Sequence, residues 1–400
     1  MTLHPRHLAA LIALAALACS GPRTARTPDR EPPRPAPDAA APDAAAIDAL
    51  VIARSGSCGV LAGGTAVCWG HWDGQLLKVT TPVQGLSSIA ELAIGHDVLE
   101  GAQQRYNDLF CVRDPRGAVR CWGNGHQGQL GAGGGDSSDV PVAIEPLPPA
   151  AQLALGSHHA CALTTGGEVL CWGSNEYGQL GIGAGQAVVR RPAKVPLPGK
   201  VTQLVASSMG SCALDDRHEV HCWGENLRGE AGAPNRTTRI AWTPHRVEFA
   251  AGSGALAAAD STTCALARAG KIVCWGYVTD KLGPAFDAAT SGELPDIEDA
   301  TAIAVGYSHV CAIRKDATLW CAGKADASQL GSPGPDAWRP RQVALPGAVA
   351  RVAAGKRETC ARLVDRRWYC WGANRGGAIG PVGSSPIATP ALLDLSRVEP

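Results

Sequence analysis

The fifteen cysteines of this 400-residue chain are its most informative reactive side chains, and fourteen of them fall into pairs with a single spacing. In every pair the second cysteine follows the first by ten positions: Cys58/Cys68, Cys111/Cys121, Cys161/Cys171, Cys212/Cys222, Cys264/Cys274, Cys311/Cys321 and Cys360/Cys370. Thiols can close disulfides or bind a metal, but zinc knuckles separate their cysteines by only two to four residues. The spacing therefore predicts seven disulfides, no metal site and an oxidising compartment.

A β-hairpin is the local structure that brings such a pair together. In the third unit, CALTTGGEVLCWG, pairing Cys161 with Cys171 leaves residues 165–167 as a three-residue loop. The third loop position of such a hairpin favours a positive φ, which glycine adopts without steric cost. Glycine stands there in four units, and the other three units carry His218, Ala317 and Arg366. The turn is therefore predicted less firmly in those three units.

The register of this hairpin also assigns its two faces. The cysteines fall opposite one another in a non-hydrogen-bonded pair, where Cα atoms lie about 4.5 Å apart, within reach of a disulfide. Leu163 and Val169 share the cysteines' face, whereas Leu170 and Trp172 point to the other face. A hairpin that is apolar on both faces indicates a sheet packed between two neighbouring sheets.

The hairpin recurs at intervals of 47 to 53 residues, and apolar stretches flank each copy. Four short strands per unit are typical of a β-propeller blade. We therefore predict an all-β, seven-bladed propeller over residues 47–400, with repeats at about 47–87, 88–149, 150–198, 199–249, 250–298, 299–346 and 347–400. Strand-like segments at both ends of this range, near Ile47 and over residues 391–395, are available to close the ring.

The pattern CWG-x-N-x-x-GQLG, preceded by G-x-x-H-x-CAL, resembles the repeat of the regulator of chromosome condensation family. The resemblance covers residues 47–398 and implies a seven-bladed propeller. The signature tryptophan is present in six units, as Trp69, Trp122, Trp172, Trp223, Trp275 and Trp371. The sixth unit has Ala322 there and Trp320 two residues earlier. Nuclear members of the family act as guanine-nucleotide exchange factors, a role that export and seven disulfides oppose.

The first 18 residues predict a secretory signal peptide, because a short basic start precedes an apolar run that is too short to span a bilayer. Cys19, which has no paired partner, predicts the lipidation site of a bacterial lipoprotein. Ala16 stands where a lipobox prefers Leu, and residues 16–18 also fit ordinary A-x-A cleavage. Residues 19–46 form a Pro/Ala-rich linker predicted to stay disordered. We expect an outer-membrane lipoprotein facing the periplasm or the cell surface, or otherwise a secreted protein.

Two further patterns indicate no function of their own. Residues 123–128 match G-x-G-x-x-G literally, but they are one copy of the blade signature and lack the strand–helix context of a dinucleotide site. His158, His159 and His309 precede blade cysteines, where other units carry Ser, Thr or Gly. We interpret these positions as polar residues that satisfy local backbone.

Irregular segments between the repeats are the candidates for binding loops, because insertions into a repeat map to one face. The second unit carries an insertion within residues 96–110 that contains His96, Tyr106 and Phe110. Trp242 and Trp338 lie outside the hairpin signature, as does Trp72. Exposed aromatic residues on a rigid ring suit binding, although rings that fill gaps between blades would give the same pattern.

These patterns favour a non-enzymatic binding protein outside the cytoplasm that recognises a protein or glycan, with an inhibitor-like role included. Lys plus Arg equals Asp plus Glu at 36 each, so no nucleic-acid partner is expected, and the membrane is reached only through the lipid anchor. No catalytic residues and no cofactor are predicted. An alternative is an enzyme acting on envelope polysaccharide through acids such as Asp97, Glu100 and Asp108, and another is a passive envelope scaffold.

Overall fold

Seven antiparallel sheets of four strands form the fold, and in each sheet the strands lie side by side in their order along the chain. The computed structural model describes residues 47–53, 56–72, 75–82, 86, 88–95, 108–134, 137–234, 237–277, 291–380 and 385–395. We number the sheets as blades one to seven. The predicted seven-bladed β-propeller is confirmed.

The strands of each blade lie within the matching repeat. Blade one contains β1 (Ile47–Ile52), β2 (Gly56–Leu61), β3 (Ala66–Trp72) and β4 (Gln75–Pro82); blade two contains β5 (Glu91–Gly95), β6 (Leu109–Arg113), β7 (Val119–Gly123) and β8 (Ser138–Ala143). Blade three contains β9 (Ala150–Leu155), β10 (His159–Thr164), β11 (Val169–Ser174) and β12 (Val188–Lys194); blade four contains β13 (Val201–Ala206), β14 (Gly210–Asp215), β15 (Val220–Glu225) and β16 (Ile240–Arg246).

The last three blades repeat this arrangement. Blade five contains β17 (Ser253–Ala259), β18 (Thr262–Ala267), β19 (Ile272–Gly276) and β20 (Ser291–Glu293); blade six contains β21 (Ala300–Val305), β22 (His309–Arg314), β23 (Leu319–Gly323) and β24 (Ala337–Gln342). Blade seven contains β25 (Val349–Ala354), β26 (Glu358–Leu363), β27 (Trp368–Gly372) and β28 (Ile387–Leu392). Among the described residues, two 3-10 turns, Glu248–Ala250 and Arg375–Gly377, lie in the loops. No helix among the described residues is both long and apolar enough to cross a membrane.

All seven predicted disulfides are present, one in the central hairpin of each blade. The paired cysteines face one another across the second and third strands, and their Cα atoms are 4.0 to 4.1 Å apart. The predicted register is therefore confirmed. In blade order, the disulfides join Cys58 to Cys68, Cys111 to Cys121, Cys161 to Cys171, Cys212 to Cys222, Cys264 to Cys274, Cys311 to Cys321 and Cys360 to Cys370.

The third loop position of the hairpin adopts a positive φ in all seven blades. The four glycines have φ between 75° and 87°, and His218, Ala317 and Arg366 have φ of 65°, 60° and 74°. The turn that the sequence predicted less firmly in three units is therefore the same turn throughout. Those three side chains occupy a conformation that costs an L-residue roughly 1–2 kcal/mol.

Six of the seven interfaces between blades combine the cystine face of one blade with the tryptophan face of the next, and between blades five and six Ala322 takes the place of the tryptophan. Between blades three and four, Cys161, Cys171 and Leu163 pack in one buried cluster with Trp223. On the other side of blade three, Trp172 packs with the cystine of blade two. Both faces of the hairpin are thus buried, as predicted, and the core lies between the sheets.

The same contact closes the ring between blades seven and one. Trp69 packs with Ile47, Leu393 and the cystine of blade seven in one cluster, and its Nε1 donates a hydrogen bond to the carbonyl of Ala378 (2.9 Å). In return, Trp368 Nε1 donates to the carbonyl of Ile47 (3.0 Å). β1 and β28 belong to separate sheets, so side-chain packing between whole blades joins the two ends of the ring.

The hairpin turns yield a prediction about stability. Replacing Ala317 (Ala317→Gly) removes the cost of a left-handed alanine and should raise the free energy of unfolding by about 0.5–1 kcal/mol. The reverse change in blade three, Gly167→Ala, should lower it by about 1–2 kcal/mol, because the new Cβ would also lie 3.0 Å from Lys200 Cβ. Urea unfolding of the oxidised proteins measures both changes, and equal midpoints for the two variants would contradict the prediction.

Candidate functional site: the upper face and its central cavity

The face of the ring at which the first and third strands of each blade end is called here the upper face. Because the strands are antiparallel, the first-to-second and third-to-fourth connections meet there, and the amide of Ser174 at the end of β11 donates to the carbonyl of His158 in the β9–β10 loop (2.9 Å). The opposite, lower face carries the short hairpin turns. The described ends of every long connection within a blade therefore lie on the upper face.

A cavity of about 260 Å³ lies at the centre of the ring, at the upper ends of the first strands. Apolar residues from the first strand of all seven blades form its wall, from Val51 of β1 to Ala354 of β25. These strands are consequently the innermost ones. The rim is polar and includes Ser157, Ser208, Asp260 and Lys356.

Backbone hydrogen bonds between blades hold parts of this rim. The amide of Ser157 donates to the carbonyl of Ser208 (3.1 Å), and the amide of Ser208 donates to the carbonyl of Asp260 (2.7 Å). The ammonium of Lys356 lies 5.0 Å from the centre of the Tyr307 ring. Backbone contacts between blades therefore hold the rim, so that its polar groups can be presented in fixed positions.

The described lining of the cavity contains one carboxylate, that of Asp260. Hydrolysis of a glycosidic bond commonly requires two carboxylates that flank the bond. Asp108 is described but does not line the cavity, and Asp97 and Glu100 lie outside the described residues. The described lining therefore offers no carboxylate pair to the polysaccharide-enzyme alternative.

The second-blade insertion leaves the cavity wall directly. Ile94 lines the cavity, and the backbone of Gly95 lies so close to the carbonyl of Gly156 that no Cβ would fit between them. The chain is described again from Asp108, whose carbonyl accepts a hydrogen bond from the amide of Asn124 (3.0 Å). His96 and Tyr106, both predicted binding residues, lie outside the described residues. Both ends of the insertion are on the upper face.

The other predicted binding residues lie in strands. Phe110 belongs to β6, where its ring stacks on Trp122 with 5.3 Å between centroids, and both pack against the buried cluster between blades one and two. Trp242 and Trp338 are half-buried and lie near the start of the fourth strand in blades four and six. Trp242 is the third residue of its strand, and Trp338 is the second residue of its strand. Their role in binding stays a prediction. Trp72 lies at the end of β3.

Two exposed apolar side chains on the upper face are not among the residues that the sequence predicted for binding. Tyr177 and Leu227 lie in the third-to-fourth connections of adjacent blades three and four and are 40% and 44% exposed. Gly178, next to Tyr177, packs against the backbone of Trp242, and the amide of Gly183 donates to the carbonyl of Trp242 (2.8 Å). The sequence feature that could have identified Tyr177 is its position immediately before the G-Q-L-G sequence.

His159 and His309 serve the joints between blades. Each is fully buried, and its Nε2 lies within hydrogen-bonding distance of a hydroxyl on the next blade: Ser211 Oγ (2.9 Å) and Thr359 Oγ1 (2.8 Å). Burial lowers the pKa of His159 to about 3 and that of His309 to about 4, so both rings are neutral at pH 7. These side chains bond across blades, whereas the sequence predicted that they satisfy local backbone.

Glu358 occupies the corresponding position in blade seven, two residues before the first cysteine. It is 1% exposed, and its Oε2 accepts a hydrogen bond from the amide of Arg357 (2.8 Å). Burial raises its pKa to about 7, although that amide and the nearby Arg375 and Arg357 charges act in the opposite direction. This carboxyl therefore changes charge near neutral pH, and its Oε2 lies close to Gly355, a residue that lines the cavity.

Glu358 predicts a pH dependence of stability. Its pKa is higher in the folded chain than the ordinary value of 4.5, so its contribution is fully present below about pH 4.5 and is lost as the pH rises through about 7. The loss should amount to roughly 2–3 kcal/mol. Unfolding midpoints in urea at pH 5 and pH 8 measure it. Glu358→Gln should reduce the difference between the two midpoints, and an unchanged difference would exclude Glu358 as its source.

Comparison with known proteins identifies the repeat. The regulator of chromosome condensation (RCC1) repeat matches residues 116–163 and 166–214, and a second version of it matches residues 150–179. The ultraviolet-B receptor UVR8 of Arabidopsis thaliana is 26% identical over 284 residues, which cover 66% of this chain and 63% of the receptor. The E3 ubiquitin-protein ligase HERC2 of Homo sapiens is 28% identical over 360 residues, covering 82% of this chain and 7% of the ligase. The chain thus spans less than two thirds of either relative.

Solved structures show the same fold at low sequence identity. Prp20p from Saccharomyces cerevisiae, described with its binding to Gsp1p and histones, superposes with a TM-score of 0.68 at 21% identity, covering 82% of this chain and 85% of Prp20p. Human WBSCR16 gives a TM-score of 0.66 at 17% identity, covering 78% and 83% of the two chains. The chain therefore carries regulator of chromosome condensation repeats within residues 116–214, and its described residues form a seven-bladed β-propeller with one disulfide in each blade.

Proposed function

We propose that this protein is an exported, membrane-anchored, non-enzymatic binding protein that recognises a protein partner through its upper face. The observation that carries the proposal is the concentration of the long connections, both ends of the second-blade insertion and the cavity on one face of a rigid ring. Binding residues are commonly placed on loops that a rigid scaffold positions. A glycan ligand is the alternative for the same face.

Relatives support a protein ligand over a small molecule. Prp20p, which shares the fold, is described as binding Gsp1p and histones, and the same yeast protein has been crystallised with Kap60. These partners belong to Prp20p, and no contact residue is transferred from it. They support the use of this fold for binding proteins.

Tyr177 is the proposed anchor on the upper face, beside Trp242 of blade four, and Leu227 is an exposed apolar residue of the next third-to-fourth connection. Tyrosine and tryptophan are enriched among the residues that dominate binding energy. Tyr177 and Leu227 are exposed, and the contacts of Trp242 with residues 178–183 hold the neighbouring connection in place. An aromatic side chain on a fixed connection loses little conformational freedom on binding.

Export and anchoring rest on the sequence before the ring and on the disulfides within it. Residues 1–18 have the pattern of a signal peptide and Cys19 that of a lipidation site. Fourteen of the fifteen cysteines are consumed by disulfides, and such bonds persist outside the reducing cytosol. The linker up to residue 46 would serve as a tether to the membrane.

The binding function can be tested by crosslinking on intact cells of the native producer. The protein is then recovered with its crosslinked partners, and these are identified by mass spectrometry. One enriched protein partner supports the proposal. Crosslinks confined to peptidoglycan and abundant envelope proteins would instead support the passive scaffold, and assays on envelope polysaccharides test the enzyme alternative.

Tyr177→Ala should weaken recovery of that partner, because it removes the exposed ring from the anchor. A loss of affinity of about tenfold is expected for a residue that contributes more than 1 kcal/mol to binding. Val364→Ala is the matched control, since Val364 is 68% exposed and apolar but lies in a hairpin turn of the lower face. Equal losses in the two variants would contradict binding through the upper face.

Cys19→Ser tests the anchor separately from the binding face. The wild-type protein should fractionate with membranes and carry a diacylglyceryl modification detectable by mass spectrometry of its N-terminal peptide. The variant should appear in the soluble extracytoplasmic fraction with its seven disulfides intact. Release of wild-type protein cleaved after Ala18, without lipid, would contradict anchoring and leave only secretion.

A further inference from the structure

The β14–β15 hairpin of blade four brings together three side chains of the types that bind metals. Asp215 ends β14, and Glu219 and His221 lie on the returning side, all on one face of the hairpin. One ligand atom from each residue lies within 4.8 Å of the other two. This turn is on the lower face, so the cluster is separate from the proposed binding site.

Each carboxylate has one oxygen held by other groups and one directed into the cluster. Asp215 Oδ1 accepts hydrogen bonds from the amides of Arg217 (2.9 Å) and Glu219 (2.8 Å), and Glu219 Oε1 pairs with Arg246 Nη2 (3.0 Å). Asp215 Oδ2 and Glu219 Oε2 face the cluster, and Asp215 Oδ2 accepts hydrogen bonds from Arg217 Nε (3.3 Å) and Nη2 (3.1 Å). Partners that fix the orientation of ligand side chains in this way are typical of metal sites.

His221 supplies a buried imidazole nitrogen without a hydrogen-bond partner. Its side chain is 5% exposed, and Nε2 lies 3.6 Å from Asp215 Oδ2 and 4.0 Å from Glu219 Oε2. No described residue makes a hydrogen bond to this atom. Burial lowers the pKa of His221 more than the two carboxylates raise it, so its ring is neutral at pH 7.

Packing of the blade does not explain the histidine. In blades three, five and six the same position, one residue before the second cysteine, holds Leu170, Val273 and Trp320. Only blade four combines an acid, a second acid and a histidine at these three hairpin positions. A buried histidine here costs an unsatisfied nitrogen that an apolar residue would avoid.

Arg217 occupies the space between the carboxylates. Its Nη2 lies 3.1 Å from Asp215 Oδ2 and 3.6 Å from Glu219 Oε2, and its side chain is 54% exposed. The guanidinium neutralises the carboxylates but makes no hydrogen bond to His221 Nε2. A metal ion would neutralise the carboxylates and would also accept the lone pair of the imidazole nitrogen.

We propose that Asp215 Oδ2, Glu219 Oε2 and His221 Nε2 bind a divalent ion of the zinc class, and that Arg217 turns into solvent when the ion binds. Zinc binds imidazole nitrogen and carboxylate oxygen at about 2.0–2.2 Å, which places neighbouring ligand atoms about 3.3 Å apart. The imidazole nitrogen, now 3.6 and 4.0 Å from the two carboxylate oxygens, must therefore approach them by about 0.3 and 0.7 Å, the two oxygens must also close from within 4.8 Å, and water completes the coordination. The imidazole ligand favours zinc over magnesium or calcium.

The test is a calorimetric titration of Zn²⁺ into the full-length, tag-free protein at pH 7.5, after chelation and removal of the chelator. Wild-type protein should bind one Zn²⁺ per chain, and Mg²⁺ should not compete. His221→Leu, which installs the residue of blade three, should abolish this binding, and Glu219→Gln should weaken it by at least about tenfold. Arg217→Ala should strengthen it, because the competing cation is removed.

His126→Ala is the control, since His126 is an exposed histidine in blade two and its loss should leave zinc binding unchanged. Circular dichroism checks that each variant is folded. If His221→Leu does not fold, Glu219→Gln replaces it as the test variant, because position 219 is partly exposed. Absence of zinc binding by the wild type would overturn the proposal. So would binding that neither His221→Leu nor Glu219→Gln weakens.

Discussion

Among the described residues, five of the seven joints between neighbouring blades rest on one interaction, an indole N–H donated across the interface to a carbonyl of the preceding blade. Trp172, Trp223 and Trp371 donate to the carbonyls of Gln129, Gln179 and Gln329, each at 2.9 Å. A buried indole N–H needs such a partner. The bond also holds the G-Q-L-G segment close to the indole of the next blade. The approach is so close that a Cβ on the last glycine of the segment, as on Gly181, would lie 2.8 Å from that indole.

The cystines complete this joint from the other side. Aromatic residues make up only 5% of the chain, so each cystine supplies buried volume against the tryptophan of the following blade, as Cys212 and Cys222 do against Trp275. Blade six is the exception, because Ala322 meets the cystine of blade five, formed by Cys264 and Cys274. Trp320, two residues earlier on the same face of the hairpin, packs against this cluster, and Arg314 lies 5.3 Å from the centre of its ring.

Features that depend on the local periodicity of the sequence could be predicted. Contacts that join residues of different blades could not. Cysteine spacing and the alternation of a strand are sufficient to predict the hairpin, its disulfide and its two faces. The hydrogen bond between His159 and Ser211 joins residues that are 52 positions apart in the sequence. The exposure of Tyr177 depends on which half of its connection packs against the next blade. The trio around His221 could have been found, since the predicted register already places its members on one face, but it matches neither a cysteine knuckle nor a calcium-loop pattern.

The same tryptophan bond divides the third-to-fourth connection of blade three into a fixed and a variable half. In blade three, residues 178–181 are held by Trp223 and by the fourth strand of blade four, whereas Glu176 and Tyr177 face solvent. A change in the solvent-facing half leaves the indole bond, and therefore the ring, intact. Because the hairpin turns lie on the opposite face, a ligand group such as His221 can also be introduced there without disturbing the upper face. The architecture thus allows recognition to vary between copies of one repeat while a single joint keeps them in register.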